Sequence, residues 1–401
     1  MKKILVIGQY VSMPGEKENG RVRYLIDKID KSKFEVELIT TNFFHKTKKH
    51  REYKNDNLLD YKFTMLDEPG YQKNVSLKRF YSHHIFAKNL AKYLNQIDKP
   101  DLIYCIVPSL SLGKVVTKFA KKNNIRFIID VQDLWPEAFK MVFNVPVISD
   151  LIFLPMRKEA DFIYSNADDI VAVSETYLTR ASKVNKKYKN KLSVYLGTDL
   201  EKFDRMHKEN EIVTFDDVVR IAYIGTLGHS YDIKSVIDSI KILNDKGIKN
   251  ILFVVMGNGP LQQEFENYAK EKKVSVEFTG KLNYDEMVGK LCSCDIAVNP
   301  ITKGAAQSII NKVGDYAAAG LPVINTQECE EYRNLVQDFN IGINVENGDI
   351  EALAKQIEIL YKDETLRKNL GQNNRKLAEE RFDRKYTYTK IIDLIDEKEK
   401  I

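Results

Sequence analysis

The chain is poor in the residues that usually announce metal or covalent chemistry. Its 401 residues include one Trp, six His and four Cys. Cys105, Cys292, Cys294 and Cys329 form no CxxC pair and have no His nearby in sequence. Two soft ligands do not make a zinc site, so Cys292 and Cys294 carry no zinc expectation. Cysteine usage of this kind points to a reducing, cytosolic compartment. No GxxxxGK motif occurs, which excludes a P-loop nucleotide site. The longest run without a charged residue covers 14 positions, 250–263, and contains Asn, Gly and Pro. A bilayer span needs roughly 18 apolar residues, so an integral membrane protein is excluded. The first eight residues hold only a short apolar run with no small-residue cleavage site, and read as a strand rather than a signal peptide.

What is present is charge, unevenly placed. Lys+Arg number 62 against 57 Asp+Glu, a net +5. Residues 1–200 hold 34 basic and 23 acidic side chains, and residues 201–401 hold 28 and 34. At about 100–200 residues per domain, this predicts two domains with different partners. The basic half suits nucleic acid, an anionic membrane surface or a phosphorylated substrate.

Short β-branched runs alternate with helical periodicity from end to end. Strands are expected at 3–7, 35–40, 102–106, 126–130, 169–173 and 193–195, with helices at 21–29, 77–96, 112–122 and 151–165. The scheme restarts with strands at 219–224, 251–256, 274–278, 296–300, 322–325 and 341–345. Helices are expected there at 232–246, 260–272, 284–292, 310–319 and 349–361. Such alternation predicts an α/β protein of two doubly wound parallel-sheet domains facing across a cleft, residues 1–203 and 204–381. A helix over 382–398 caps the second domain or crosses back to the first. Ligands of such sheets bind at the carboxyl ends of the strands.

Several motifs sit at those ends, each with a bland alternative. Gly257-Asn258-Gly259-Pro260 follows a strand and opens a helix, with Pro260 suited to the first helical position. It is either tight-turn chemistry or a phosphate contact. Ser308, Asn311 and Lys312 lie near a helix start, where amides and a cation attract anions. Asp315 either accepts ribose hydroxyls or decorates that helix. Asp133, Trp135 and Glu137 follow the 126–130 strand; they orient sugar hydroxyls, or Trp135 anchors the core and Glu137 starts a helix. Gly20 precedes Arg21 and Arg23, while Arg79, His83 and His84 share a helix. These hold a diphosphate or are solvated helix charges. Lys183, Lys186, Lys187, Lys189 and Lys191 form a solvated face or a membrane contact.

Taken in order, these motifs resemble glycosyltransferase family 4, enzymes of GT-B fold that transfer sugars from nucleotide donors with retention. The carriers are Ile221 to Gly225, Met256 to Pro260, Phe278 to Glu286, Ala172 to Glu175 and Gly197 to Phe203. Asp133-Leu134-Trp135-Pro136-Glu137 is similar to a subgroup of bacterial capsule and O-antigen enzymes, N-acetyl-fucosamine transferases among them. The resemblance implies a UDP-sugar donor, a lipid-diphosphate-linked sugar acceptor and peripheral association with the inner membrane face. It places the donor against Gly225, Thr226, Gly257, Asn258, Lys281, Leu282, Ser308, Ile309, Asn311, Lys312 and Asp315. Asp133 and Gln307 take the catalytic positions, and Gly20, Arg21, Arg23, Arg79, His83, His84, Trp135 and Glu137 the acceptor side.

The chain also departs from the family. Gln307 and Asp315 stand where the family has two glutamates, with the seven-residue gap intact. Thr226 replaces an arginine, leaving Lys234, Lys281, Lys312 and backbone amides to neutralise the diphosphate. Gln132 stands where many members carry His. No Asp-x-Asp occurs, so no bound metal or other cofactor is expected. Retention then follows from same-face attack, with a donor phosphate oxygen taking the acceptor proton. The rival readings are a sugar-nucleotide 2-epimerase, which Gln307 suits poorly, and a catalytically weakened sugar-nucleotide-binding subunit. Nucleic-acid binding lacks any helix-turn-helix or zinc pattern.

Overall fold

A computed structural model describes residues 1–13, 16, 20–52, 59–74, 76–140, 148–214, 216–305 and 308–397. Two compact units emerge: Met1–Val194 with Lys390–Ile401, and Tyr195–Thr389.

The first unit is built on β1 (Lys2–Ile7), β2 (Phe34–Thr41), β3 (Phe43–Phe44), β4 (Lys49–His50), β5 (Lys62–Leu66), β6 (Leu102–Val107), β7 (Arg126–Val131), β8 (Asp169–Ala172) and β9 (Asn190–Ser193). Seven of these form one parallel sheet in the order β5-β2-β1-β6-β7-β8-β9, and β3 and β4 make a separate hairpin. β6 reads Leu-Ile-Tyr-Cys-Ile-Val and is buried throughout, the near-continuous apolar run expected of a central parallel strand. β5 was not expected from the sequence: its Lys-Phe-Thr-Met-Leu is a half-buried edge strand whose mixed composition hides the pattern. β9 pairs four residues earlier in the chain than its apolar Val194 suggests, because Asn190 to Ser193 align with Asp169 to Ala172. The helix Ile148–Ser165 carries Pro155 in its interior.

The second unit holds β10 (Val219–Ile224), β11 (Ile251–Met256), β12 (Val276–Gly280), β13 (Ile296–Asn299), β14 (Val323–Asn325) and β15 (Gly342–Asn344). They form a parallel sheet in the order β12-β11-β10-β13-β14-β15. Its two faces are covered by separate cores, one around Ile221, Tyr223 and Phe253 and the other around Ala222, Val254 and Tyr316. That is the period-2 alternation of a strand buried on both sides. The helix after β11 runs Gln262–Lys272 with Leu261 at its cap, so Pro260 lies in the turn and not at the first helical position. The C-terminal segment is not one helix. It divides into Ala378–Phe382, Arg384–Thr387 and Thr389–Ile395.

In each sheet the strand order reverses beside one central strand, at β1/β6 and at β10/β13. Loops leaving the carboxyl ends there diverge and open a crevice, the usual ligand position of an open α/β sheet.

Candidate functional site

In the second unit, the loops after β10 and β11 meet backbone to backbone. Gly225 N–H donates to Met256 O at 2.9 Å and Leu227 N–H to Asn258 O at 2.9 Å. Gly257 has φ +148°, and a Cβ there would lie 1.8 Å from Gly225 O. The glycine therefore serves the loop packing, and the same close approach leaves backbone facing a cavity. That cavity measures about 250 Å³. It brings together six residues singled out from the sequence: Gly225, Thr226, Gly257, Asn258, Lys281 and Leu282. Of these, Lys281 is exposed.

Lys312 approaches Gly225 from the start of the helix Lys312–Ala318. A Cβ on Gly225, which has φ +140°, would meet Lys312 Nζ at 2.7 Å. The ammonium is buried, has no hydrogen-bond partner, and lies 4.1 Å from the Tyr223 ring centroid and 3.8 Å from that of Tyr231. Burial pushes its pKa well down. Ring faces attract a cation, but two π-faces do not replace the lost water. An unpartnered amine in such a place is a costly feature, and an arriving anion removes the cost.

The carboxyl ends of the next strands carry a polar patch that the sequence reading missed. β13, β14 and β15 end in register on Asn299, Asn325 and Asn344. Asn299 Nδ2 donates to Asn325 Oδ1, and Asn325 Nδ2 to Asn344 Oδ1, both at 2.8 Å. Gln327 Nε2 donates to Ser308 O at 2.7 Å. Asn299 Oδ1 and Ser308 Oγ stay buried without partners. The signal was present: three consecutive strands each end in Asn, at the ends where ligands bind.

Asp315 is partly buried and accepts from Tyr284 Oη at 2.8 Å and Thr198 Oγ1 at 3.1 Å. Burial raises its pKa, and these two donors oppose the rise. Ile309 packs against the core, and Asn311 is exposed at the helix cap. Lys234 does not join the site. It pairs with Glu264 at 2.6 Å on the surface and lies over the Tyr268 ring. Gln307 lies outside the described residues.

In the first unit the strand ends gather a different cluster. Arg79 Nη2 donates to Tyr10 Oη at 2.9 Å, and Tyr10 Oη lies 3.0 Å from His83 Nε2. His83 stacks on Trp135 at 5.8 Å, and burial pushes its pKa down to about 3, so the ring is neutral. Asp133 accepts from Trp135 Nε1 at 3.1 Å, from Leu134 N–H at 2.9 Å and from Tyr177 Oη at 3.4 Å. Its burial raises the carboxyl pKa, the direction that suits a proton acceptor.

The other residues expected on the acceptor side sit in different surroundings. Arg21 is buried in a two-point ion pair with Asp130 at 2.8 and 3.2 Å and also donates to Val194 O, so its guanidinium is spent on the fold. Glu137 is bound to Arg180 at 2.6 Å, which also holds Asp161 at 2.7 Å. Trp135, 5% exposed, is a core anchor as well as the platform for His83. His84 is exposed, whereas its neighbour His83 is buried. Arg23 interacts with Asp27 one helical turn away, and Gly20 caps that helix. For Arg21, Arg23 and Glu137 a structural partner of opposite charge lies close by.

The comparisons with known proteins bear on the family and the fold. Residues 204–377 match the family described as glycosyl transferases group 1. The capsular polysaccharide biosynthesis glycosyltransferase CapM of Staphylococcus aureus is 26% identical over 71% of this chain and 73% of its own. A Campylobacter jejuni enzyme named as an N-acetyl-D-galactosaminyltransferase acting on a diNAcBac-PP-undecaprenol-linked sugar is 27% identical over 40% of this chain and 43% of its own. Among solved structures, Anabaena Alr3699/HepE in complex with UDP superposes with a TM-score of 0.69 at 15% identity, covering 99% of this chain and all of its own. The family expected from the motifs agrees with the group 1 glycosyl transferase match over residues 204–377, and the two parallel-sheet units are those of the GT-B fold.

Proposed function

We propose that this glycosyltransferase moves a sugar from a UDP-sugar to a lipid-diphosphate-linked sugar, with retained configuration and without a metal, in capsule or O-antigen assembly. The observation that carries the reading is Lys312 Nζ, buried and unpartnered against Gly225 beside the cavity. A nucleotide diphosphate is the ligand whose charge this amine lacks. UDP in the Alr3699/HepE complex supports uridine as the nucleotide. The names of the Staphylococcus and Campylobacter relatives support polysaccharide assembly and a polyprenyl diphosphate acceptor. N-acetyl-L-fucosamine as the donor sugar rests on the Asp133 to Glu137 motif alone.

The chemistry asks for charge stabilisation more than for a base. The sugar C1–O bond to the diphosphate breaks as the acceptor oxygen bonds to C1 from the same face. Lys312 and the loop amides stabilise the departing diphosphate, and a phosphate oxygen takes the acceptor proton. Asp315, held by Tyr284 and Thr198, offers acceptor oxygens to ribose. Asp133 orients the acceptor from the first unit. The test is a panel of UDP- and GDP-sugars with a prenyl-diphosphate-linked sugar, with and without EDTA, and the product anomer assigned by NMR. Transfer from a UDP-sugar with retention, undiminished by EDTA, is expected. An inverted product, or binding without turnover for every donor, overturns the reading.

The membrane-facing surface is assigned to an anionic bilayer through apolar side chains rather than lysines alone. Among the described residues no helix is long and apolar enough to cross a membrane. Leu77, Tyr81, Leu151 and Ile152 are 86%, 60%, 72% and 53% exposed, a group that water does not favour. Phe139 links the two helices, lying 5.9 Å from Phe80 and 6.1 Å from Phe153. Exposed Lys78 and Lys158 stand beside them. A Leu77→Ser/Leu151→Ser double variant is expected to lose most of its sedimentation with phosphatidylglycerol vesicles. Reversing the charges of Lys183, Lys186, Lys187, Lys189 and Lys191 is expected to change it less, since screened surface charge acts weakly at 0.15 M salt.

A further inference from the structure

The hairpin β3–β4 has no role in the sheet, yet it carries a cation into the cluster around Arg79. Its turn ends on Lys48, held at φ +58°, a left-handed conformation that a lysine adopts at some cost. Lys48 Nζ then donates to Asn74 Oδ1 at 2.6 Å and lies 3.1 Å from His45 Nδ1. Arg79 Nη1 donates to the backbone oxygen of the same Asn74 at 2.8 Å. One residue thus bridges two cations with its two oxygens. Both cations also lie over the Tyr71 ring, Lys48 at 4.8 Å and Arg79 at 5.6 Å from the centroid.

The part-buried Asp133 feels the Arg79 charge without forming an ion pair with it. Among the described residues neither Lys48 nor Arg79 forms an ion pair, and their polar side-chain contacts are with Asn74, His45 and Tyr10. Arg79 is buried, 9% exposed, and its Nε has no hydrogen-bond partner. The contrast within the same unit is sharp: Arg21, Arg126 and Arg180 each hold an aspartate or glutamate within 3 Å. Two cations with only neutral oxygens between them fit an oxyanion that would displace the Asn74 contacts.

We propose that Lys48 and Arg79, with the hydroxyls of Tyr10 and Tyr71, form a subsite for a phosphate oxyanion of the acceptor. This rests on the glycosyltransferase reading for the word acceptor, and on the geometry alone for the oxyanion. It adds a hairpin residue to the binding surface that neither motif nor spacing indicated.

The charged and titratable groups facing the subsite are Tyr10 after β1, His45 and Lys46 on the hairpin, Glu68 and Tyr71 after β5, His83 beside Arg79, and Asp133 after β7. Burial and the Arg79 charge push Lys48 down to about 8, and burial with the same two cations pushes His45 down to about 4. Burial is the larger cause of both shifts, and the neighbouring positive charge adds to it. A bound phosphate favours the charged lysine and raises its pKa. Binding is therefore strongest below pH 8 and weakens above it, where the free lysine must first take up a proton.

The experiment titrates inorganic pyrophosphate into the full-length protein with UDP in excess, so that the second unit is already filled. Lys48→Met is expected to weaken pyrophosphate about tenfold or more, with UDP affinity and melting temperature unchanged, and Lys48→Arg to restore most of it. Arg79→Gln is expected to do the same; if that buried change unfolds the unit, Lys48→Met alone carries the test. Unchanged pyrophosphate affinity in Lys48→Met, or no binding to the parent protein at millimolar concentration, overturns the subsite. A short-chain prenyl diphosphate and glucose 1-phosphate separate a lipid-borne phosphate from a soluble one, and binding of either by a Lys48-dependent route supports the subsite. In the transfer assay the Lys48→Met effect is expected in acceptor KM rather than kcat. Absence of transfer from every donor would remove the functional reading, while the pyrophosphate titration would still decide the subsite.

Discussion

Lys312→Met is expected to weaken UDP binding by about 2–5 kcal/mol, roughly 30-fold or more, while making the unliganded protein more stable. The two effects share one cause. The amine is buried with no hydrogen-bond partner, and its pKa is pushed well down because water is gone and no anion has replaced it. Methionine keeps the length and removes the unsatisfied group, a gain of about 1–3 kcal/mol in the free protein. The sign of the pH effect follows. Between the lowered folded value and the ordinary lysine value, the unfolded chain binds the extra proton. Parent stability therefore rises with pH across that window, and the variant lacks this rise. A bound diphosphate reverses the direction by raising the pKa, so UDP binding takes up a proton. Isothermal titration in buffers of different ionisation enthalpy reads that uptake directly. If Lys312→Met binds UDP as tightly as the parent, or if UDP binds without proton uptake, the amine is not the diphosphate contact.

Arg21→Met is expected to lower the stability of the first unit by about 3–5 kcal/mol. Asp130 is fully buried, and its carboxylate is held by Arg21 Nε at 2.8 Å, by Nη2 at 3.2 Å and by Gln132 Nε2 at 3.0 Å. Removing the guanidinium leaves a carboxylate in an apolar sheet with one amide donor. A melting temperature lower by roughly 10 °C is the expected reading for a unit of this size. The double variant Arg21→Met/Asp130→Leu is expected to regain most of the loss, since burying neither charge costs less than burying one. Acceptor KM separates this from a binding role. The rescued double variant is expected to keep the parent value, whereas a diphosphate contact through Arg21 would leave KM raised whatever the stability.

How much was legible can be seen strand by strand. β10 and β11 were readable to the residue because they are buried on both faces and apolar but for Arg220, so little competes with the pattern. β5 was invisible because an edge strand needs only half an apolar surface. The same asymmetry holds for the site. Gly225 and Gly257 were legible because positive φ and a backbone approach of 1.8 Å admit only glycine. Lys234, Lys281 and Lys312 could not be ranked in the sequence, since nothing in the order of residues says which of them finds a partner. Folding gives Lys234 to Glu264, leaves Lys281 exposed at the cavity and buries Lys312 with no partner.

The amino-acid sequence by itself determined two parallel-sheet units, the position of their strand ends and the glycine loops that bring backbone to a ligand. Local period, turn chemistry and steric limits act over a few residues, and they are written in order along the chain. Which charges remain free is decided elsewhere. Arg21 meets Asp130 across 109 positions, and Glu137 meets Arg180 across 43. Lys48 reaches Asn74 across 26 without meeting a carboxylate. The tertiary structure alone settled that sorting, because a buried charge is priced by whatever the rest of the fold places within about 4 Å of it.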